Sequence, residues 1–353
     1  MKLVSSVRLG HLLLGASIAT ALLSARPAAG VAAASCRPTG AHDRDGTPLT
    51  ARLVNPRGSV SGRIDASGCQ VGIYFGTGNG RVNGAEVFGA QYYGVLVDGN
   101  DGHNVRVNIT DSSFHDIGDT PITSSRHGQG VAYRAFGSGT ATGTVASNRF
   151  WAFQEAAINM TGPGATVTAR DNRIQGRGPI ATISQNGVQV IFGAHGTVLR
   201  NRISGLSYLG AGTGNGVLVA GGGAYDGDPT KGCLPSGCDL TRGARIEDNV
   251  IIDADTGIAV FNADADFNPP ATRTNTVIDG NLIRKDDLSN IAGWDDATGL
   301  QEGIFAYGNH DAITHNVIKG DGYDQDACGA AAVCMPIDTE GAIAPVVAGN
   351  VVR

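Results

Sequence analysis

The chain has 353 residues, 26 Lys plus Arg against 32 Asp plus Glu, and a formal net charge of -6; only four of the cations are lysines, which argues against nucleic acid as a partner. With 53 glycines and 6% aromatic residues it is too ring-poor for an ordinary compact core of this length, so growth by repetition of a short unit is expected.

Lys2 and Arg8 precede an apolar run from Leu12 to Leu23, followed by small residues ending in Ala32, Ala33 and Ala34. This is the layout of a secretory signal peptide over residues 1–34. The run falls short of the ~18 apolar residues of a membrane span, and no other segment approaches that length. A secreted protein, extracellular or periplasmic and without a membrane span, is expected. Cys36 lies just after the cleavage site, but Ala33, Ala34 and Ser35 lack the leucine of a lipoprotein signal, so lipid anchoring there is not expected. The six cysteines suit an oxidising compartment, as three local disulfides: Cys36 with Cys69, Cys233 with Cys238, and Cys328 with Cys334. Their spacings lack the paired C-x-x-C of a zinc site. Residues 35–68 are read as a lead-in and cap, and residues 69–353 as one domain.

Two kinds of short apolar run alternate along that domain. One has the form apolar-x-x-Asn-x-apolar: VASNRF from Val145, ARDNRI from Ala169, VLRNRI from Val198, IEDNVI from Ile246, IDGNLI from Ile278, ITHNVI from Ile313 and VAGNVV from Val347. An earlier copy, ITDSSF from Ile109, carries Ser112 in place of the asparagine. The other kind reads VGIYF from Val71, YGVLV from Tyr93, QGVAY from Gln129, NGVQV from Asn186, NGVLV from Asn215, TGIAV from Thr256 and EGIFA from Glu302. Runs this short, alternating and β-branched predict strands. A unit of about 22 residues with variable insertions predicts a parallel β-helix, with asparagine side chains bonded from rung to rung at one turn.

Through these repeats the stretch from Cys69 to the C-terminus resembles the right-handed parallel β-helix superfamily, the pectate-lyase-like fold. The resemblance implies an all-β solenoid of about eight or more coils with long loop insertions. It implies function only broadly, since the superfamily holds polysaccharide lyases, glycoside hydrolases, epimerases, carbohydrate esterases and members without catalysis. The polygalacturonase-like hydrolases carry Asn-Thr-Asp, Asp-Asp, Gly-His-Gly and Arg-Ile-Lys segments. Only Asp286-Asp287 and a His127-Gly128 step answer to them here, out of order. Gly308-Asn309-His310-Asp311 matches just the last two residues of the Asp-Pro-His-Asp of mannuronan epimerases.

Residues just before the glycines form a second expected ladder: Tyr93, Gln129, Glu155, Gln185 with Asn186, Asn215, Asp255, Glu302 and Glu340. Its acidic end places Asp255 and Glu302 on neighbouring rungs, as acid and base at separations used by glycosidases. Crowding of like charges should raise one pKa and create a general acid. Lys285 and Asp296, from the insertion Ile283 to Gly303, are supporting catalytic candidates. A lyase would use Lys285 or Tyr323 as base, with carboxylates holding Ca2+; no Asp spacing names a ligand set. Phe261, Phe305 and Tyr307 are the expected sugar-stacking platform, and Arg126 and His127 a distant subsite for an acidic sugar. Arg149, Arg173 and Arg202 fall at equivalent outward sites, a ladder suited to gripping a polyanionic chain; against that, ion pairs with Asp171 and Asp248 on nearby rungs account for it without a ligand. The expected function is action on an extracellular polysaccharide, by lyase or hydrolase chemistry, by a monomer; the other expectation is a non-catalytic β-helix that binds glycan or a surface partner.

Overall fold

Alternating, β-branched runs separated by tight turns fold as the repeats predict: strand stacks on strand. The computed structural model describes residues 35–210, 212–225, 239–288, 293–295, 298–329 and 332–353. The expected leader over 1–34, the Cys233–Cys238 pair and Asp296 lie outside the described residues. The rest is all-β apart from short helical turns such as Asp321–Tyr323 and Gln325–Cys328. Among the described residues no helix is long and apolar enough to cross a membrane.

One sheet has 12 strands and the other 18. The chain runs through Tyr93–Asp98 in the first sheet, then Asn104–Thr110 and Ser113–Ile117 in the second, and returns to the first at Gln129–Arg134. Each strand thereby pairs in parallel with its equivalent one rung away, as Asn186 with Asn215 and Val188 with Val217. Antiparallel pairing is confined to Arg37–His42 with Pro48–Val54 and Gly293–Asp295 with Thr298–Tyr307. This is a solenoid-like arrangement of long parallel sheets, consistent with a parallel β-helix. Pro48–Val54 and Ser59–Asp65 already pair with the first sheet and the second, respectively.

The alternate residues Val188, Val190, Val217, Val219, Ile258, Val260 and Ile304 all point inward at 0% exposure. Their column of glycines has a packing reason, since a Cβ on Gly216 would lie 2.4 Å from the carbonyl oxygen of Gly257 on the next rung. The disulfides Cys36–Cys69 and Cys328–Cys334 form as expected, with Cα atoms 5.5 Å and 6.3 Å apart.

The asparagines stack as expected. Asn148 donates to the Asn172 Oδ1 at 3.1 Å, Asn172 to Asn201 at 2.9 Å, Asn201 to Asn249 at 3.0 Å, and the series continues through Asn281 and Asn316 to Asn350. Each Oδ1 also accepts the backbone N–H of the asparagine one rung back, as Asn249 does from Asn201 at 2.9 Å. The residue before each asparagine is left-handed, at φ 54° for Asp248, 67° for Gly280 and 66° for Gly349. Glycine and aspartate recur there for that reason, although Arg200 and His315 adopt the same conformation on their rungs.

Asn249→Ala strips partners from the Asn201 amide and backbone N–H and from the Val198 carbonyl, all buried. It is expected to lower stability by about 2–4 kcal/mol in urea unfolding, against roughly 1 kcal/mol for Asn350→Ala at the partly exposed end of the row. Equal losses at the two sites would deny the row its cooperative role.

Candidate functional site

The outer face of the 12-stranded sheet positions the chemistry. Just before each glycine column position stand Tyr93, Gln129, Ala156, Asn186, Asn215, Thr256, Glu302 and Met335 in register. The second outward column runs Leu96, Ala132, Asn159, Gln189, Leu218, Ala259, Phe305 and Asp338. This corrects the expected ladder in four places. Glu155, Gln185 and Asp255 sit one position earlier, off the column, and its last rung is Met335 rather than Glu340.

Asp255 and Glu302 therefore do not form a pair. The Glu302 N–H donates to the Asp255 carbonyl oxygen at 2.9 Å, but the residue opposite Glu302 in the ladder is Thr256. Asp255 is wholly buried at the corner between sheets, where its carboxylate accepts from Tyr208 N at 2.7 Å and Gly214 N at 2.9 Å. Lys285, 1% exposed, closes this corner with its Nζ 3.2 Å from Asp255 and 3.0 Å from the Ser207 hydroxyl. Burial pushes the Asp255 carboxyl up, against the Lys285 charge that lowers it. An ammonium so enclosed has no path to a substrate proton, so Lys285 is a structural partner of Asp255. Tyr323, the other expected base, is likewise buried, its hydroxyl donating to the Ala254 carbonyl at 2.8 Å.

Glu302 meets a different carboxylate. It is 3% exposed and hydrogen-bonded to the side chains of Asp338 and Thr256. Burial, reinforced by the Asp338 charge and hydrogen bond, lifts its pKa to about 8. The expected crowding of like charges is thus present, with Asp338 as the second member. Asp338 is half-buried and fixed by the Glu340 N–H, which donates to its Oδ1 at 2.8 Å. Like charges set close together cannot both ionise cheaply, so the Glu302 carboxyl keeps its proton to about 8.

Beside this pair lies the expected aromatic platform. Phe261 and Phe305 stack with ring centroids 6.3 Å apart, Phe261 and Tyr307 at 5.8 Å, and Phe305 and Tyr307 at 6.2 Å, all half-buried. The Tyr307 hydroxyl donates to the Phe267 carbonyl at 2.8 Å, which holds the ring flat along the sheet. Phe305 is the direct rung neighbour of Asp338.

Amides continue the face toward the N-terminal rungs. Asn159 Nδ2 donates to Gln129 at 2.9 Å, Gln129 Nε2 to Glu155 at 2.8 Å, and Asn215 to Asn186 at 2.7 Å. Asn159 Oδ1 and Gln189 Oε1 are buried and accept no hydrogen bond. Buried acceptors without donors are costly, and a ligand hydroxyl would relieve them.

His127 stacks on Tyr92 at 4.0 Å and bonds Asp119 at 2.9 Å. Burial tends to raise Asp119, but hydrogen bonds from Thr123, Gln91 and His127 outweigh it and hold the carboxyl at about 2. Arg126 is exposed beside it. Five rungs, about 24 Å, separate this loop from Glu302. Among the described residues no group of three or more His, Cys, Asp or Glu is arranged to hold a metal ion. The expected Ca2+ therefore gains no ligand set from these side chains.

Comparisons of the chain with family models, curated proteins and solved structures found no match.

Proposed function

We propose that the chain is a secreted polysaccharide-cleaving β-helix of the right-handed, pectate-lyase-like kind, with about eight or more coils and a groove over its C-terminal rungs. What carries this reading is a buried carboxyl, Glu302, pushed up to about 8 by burial and by Asp338, beside three stacked rings.

The contact between the two carboxyls selects among chemistries. Glycosidases keep their carboxyl groups about 5–5.5 Å apart when retaining and about 6.5–9.5 Å apart when inverting. Asp338 acts on Glu302 strongly enough to help lift its carboxyl to about 8, as carboxyls set close together do. A contiguous acid and base on one side of the sugar suits β-elimination from a uronate instead. Asp338, as the carboxylate, takes the proton α to the substrate carboxyl; the carbon–oxygen bond to the leaving sugar breaks as the ring double bond forms; Glu302 gives its proton to the departing oxygen. The pair finishes with its proton moved from one member to the other and resets by passing it back. The rings of Phe261, Phe305 and Tyr307 would stack the sugars.

Incubation of the protein with polygalacturonate, alginate and a neutral glucan, followed by ultraviolet absorbance of unsaturated uronates and by new reducing ends, tests this. Absorbance growth on a uronic polymer is the expected result. Reducing ends without absorbance would move the chemistry to hydrolysis, and no cleavage of any polymer would leave a glycan-binding protein. The joint variant Phe305→Ala, Tyr307→Ala is expected to raise KM about tenfold with a smaller change in kcat, as lost stacking acts on binding.

A further inference from the structure

The outer face of the second sheet carries a feature that the proposed site at Glu302 does not use. Arg149, Arg173 and Arg202 stand opposite one another on successive rungs, all exposed. Asp171, expected to neutralise them, is instead engaged by Arg170 at 2.8 Å and Arg200 at 2.9 Å. Among the described residues no carboxylate lies within salt-bridge distance of Arg149, Arg173 or Arg202. On strands ~4.8 Å apart the three side chains start side by side, so the column is an unneutralised positive strip on a chain of net charge -6.

Two residues along, rings stack on the rungs that lead up to Arg149, the last of them sharing its rung. Phe88 lies on His115 at 5.3 Å with planes 5° apart, and His115 on Trp151 at 4.4 Å and 10°. Arg63 caps the Phe88 ring at 4.6 Å, and Arg149 lies 5.8 Å from the Trp151 ring. Trp151 ends the stack, because its neighbour on the next rung is Gln175. Two grooves meet there. One, of about 610 Å³, is lined by Arg63, Glu86, Ser113, Arg149 and Trp151 among others; the other, of about 240 Å³, by Arg149, Phe150, Trp151, Arg173 and Gln175. Glu86 is the acid of the first groove nearest the rings, held by His115 at 3.2 Å, and Asp111 there bonds Asn83. The second groove has no acidic lining.

We propose that this strip binds an acidic polysaccharide, with a sugar face against Trp151, its carboxylate gripped by Arg149 and Arg173, its hydroxyls met by Gln175, and the chain continuing toward Arg202. An indole beside paired guanidinium groups and an amide supplies the stacking, charge and hydrogen bonding that a uronate offers in return. The strip stands on its own geometry, independent of any chemistry at Glu302.

Affinity electrophoresis of the full protein through gels containing polygalacturonate, with dextran as the neutral control, tests it. Retardation by polygalacturonate alone, weakening as salt rises, is expected. The variant Arg173→Ala, Arg202→Ala should lose affinity about tenfold or more, the loss expected for one charge-assisted contact, and Trp151→Ala a comparable amount. Equal retardation of the arginine variant and the wild type would overturn the proposal. So would retardation by dextran, none by polygalacturonate, or binding of duplex DNA as tight as that of the polyuronate.

Discussion

Lys285→Met is expected to cost about 3–5 kcal/mol of stability, because it leaves Asp255 buried without its counter-charge. The cost follows from position rather than from the pair's own strength. Both side chains are at most 1% exposed, so neither can turn to water when the other is lost. Asp255 keeps its bonds from Tyr208 and Gly214, which hold the corner between the sheets in place. Its carboxyl, already raised by burial, rises further once the ammonium is gone, so the folded variant takes up a proton that the unfolded chain does not. A group raised in the folded state loses its stabilising effect as pH increases, so the deficit of Lys285→Met should grow from pH 4 to pH 7. The double change Asp255→Asn, Lys285→Met removes both charges and should recover much of the loss. Urea unfolding of the two variants at both pH values checks this; a loss below about 1 kcal/mol for Lys285→Met would show the pair to be solvent-relaxed.

Glu302→Gln is expected to lower cleavage at least 100-fold, the share of rate that a positioned general acid supplies, while leaving the fold intact. Its effect on stability has a defined pH window. Below about pH 4.5, the ordinary value for this group, both folded and unfolded chains carry the proton. From there to about 8 the unfolded chain releases it while Glu302 keeps it, so wild-type stability falls by up to about 1.4 kcal/mol per pH unit. Above 8 both states are ionised and the accumulated cost stays. Glutamine does not titrate, so the variant should gain on the wild type steadily across that window and be the more stable protein at pH 9. Parallel stability curves for the two proteins would show Glu302 to titrate as an ordinary carboxylate.

The solenoid and its asparagine row were legible because identical residue types recur at identical places. An amide that serves its neighbour on the next rung must reappear there, and the small or left-handed residue before it, such as Asp248 or Gly280, follows from the same turn. The inward Val and Ile positions were legible for the same reason. The site was legible in part. Phe261, Phe305 and Tyr307 could be placed together because strand alternation carries them outward on adjacent rungs. Asp255 was misplaced by one residue, and in a strand one residue changes the face, so a side chain expected beside Glu302 turned instead to Lys285. Asp338 escaped notice because its rung reads MPID, with Pro336 where the other rungs have glycine. Aligning Ile337 with Ile304 would have set Asp338 against Phe305. The Lys285 contact could not be read at all, since it depends on how the turns after Arg284 and Ala254 close against each other. The arginine strip is legible in the sequence, but the neutralisation by Asp171 that the sequence leads one to expect does not occur, because the left-handed turn at Asp171 sends that carboxylate toward Arg170 and Arg200.

Carboxyl-carbon NMR titration of protein labelled at Glu and Asp, run from pH 3 to pH 10 on wild type, Glu302→Gln and Asp338→Asn, tests the proton-sharing pair most directly. One glutamate signal should titrate near pH 8, vanish in Glu302→Gln, and move down in Asp338→Asn as the neighbouring charge is removed. A wild-type spectrum in which every glutamate has finished titrating by about pH 6 would contradict a proton held at Glu302, and with it the acid on which the proposed cleavage depends.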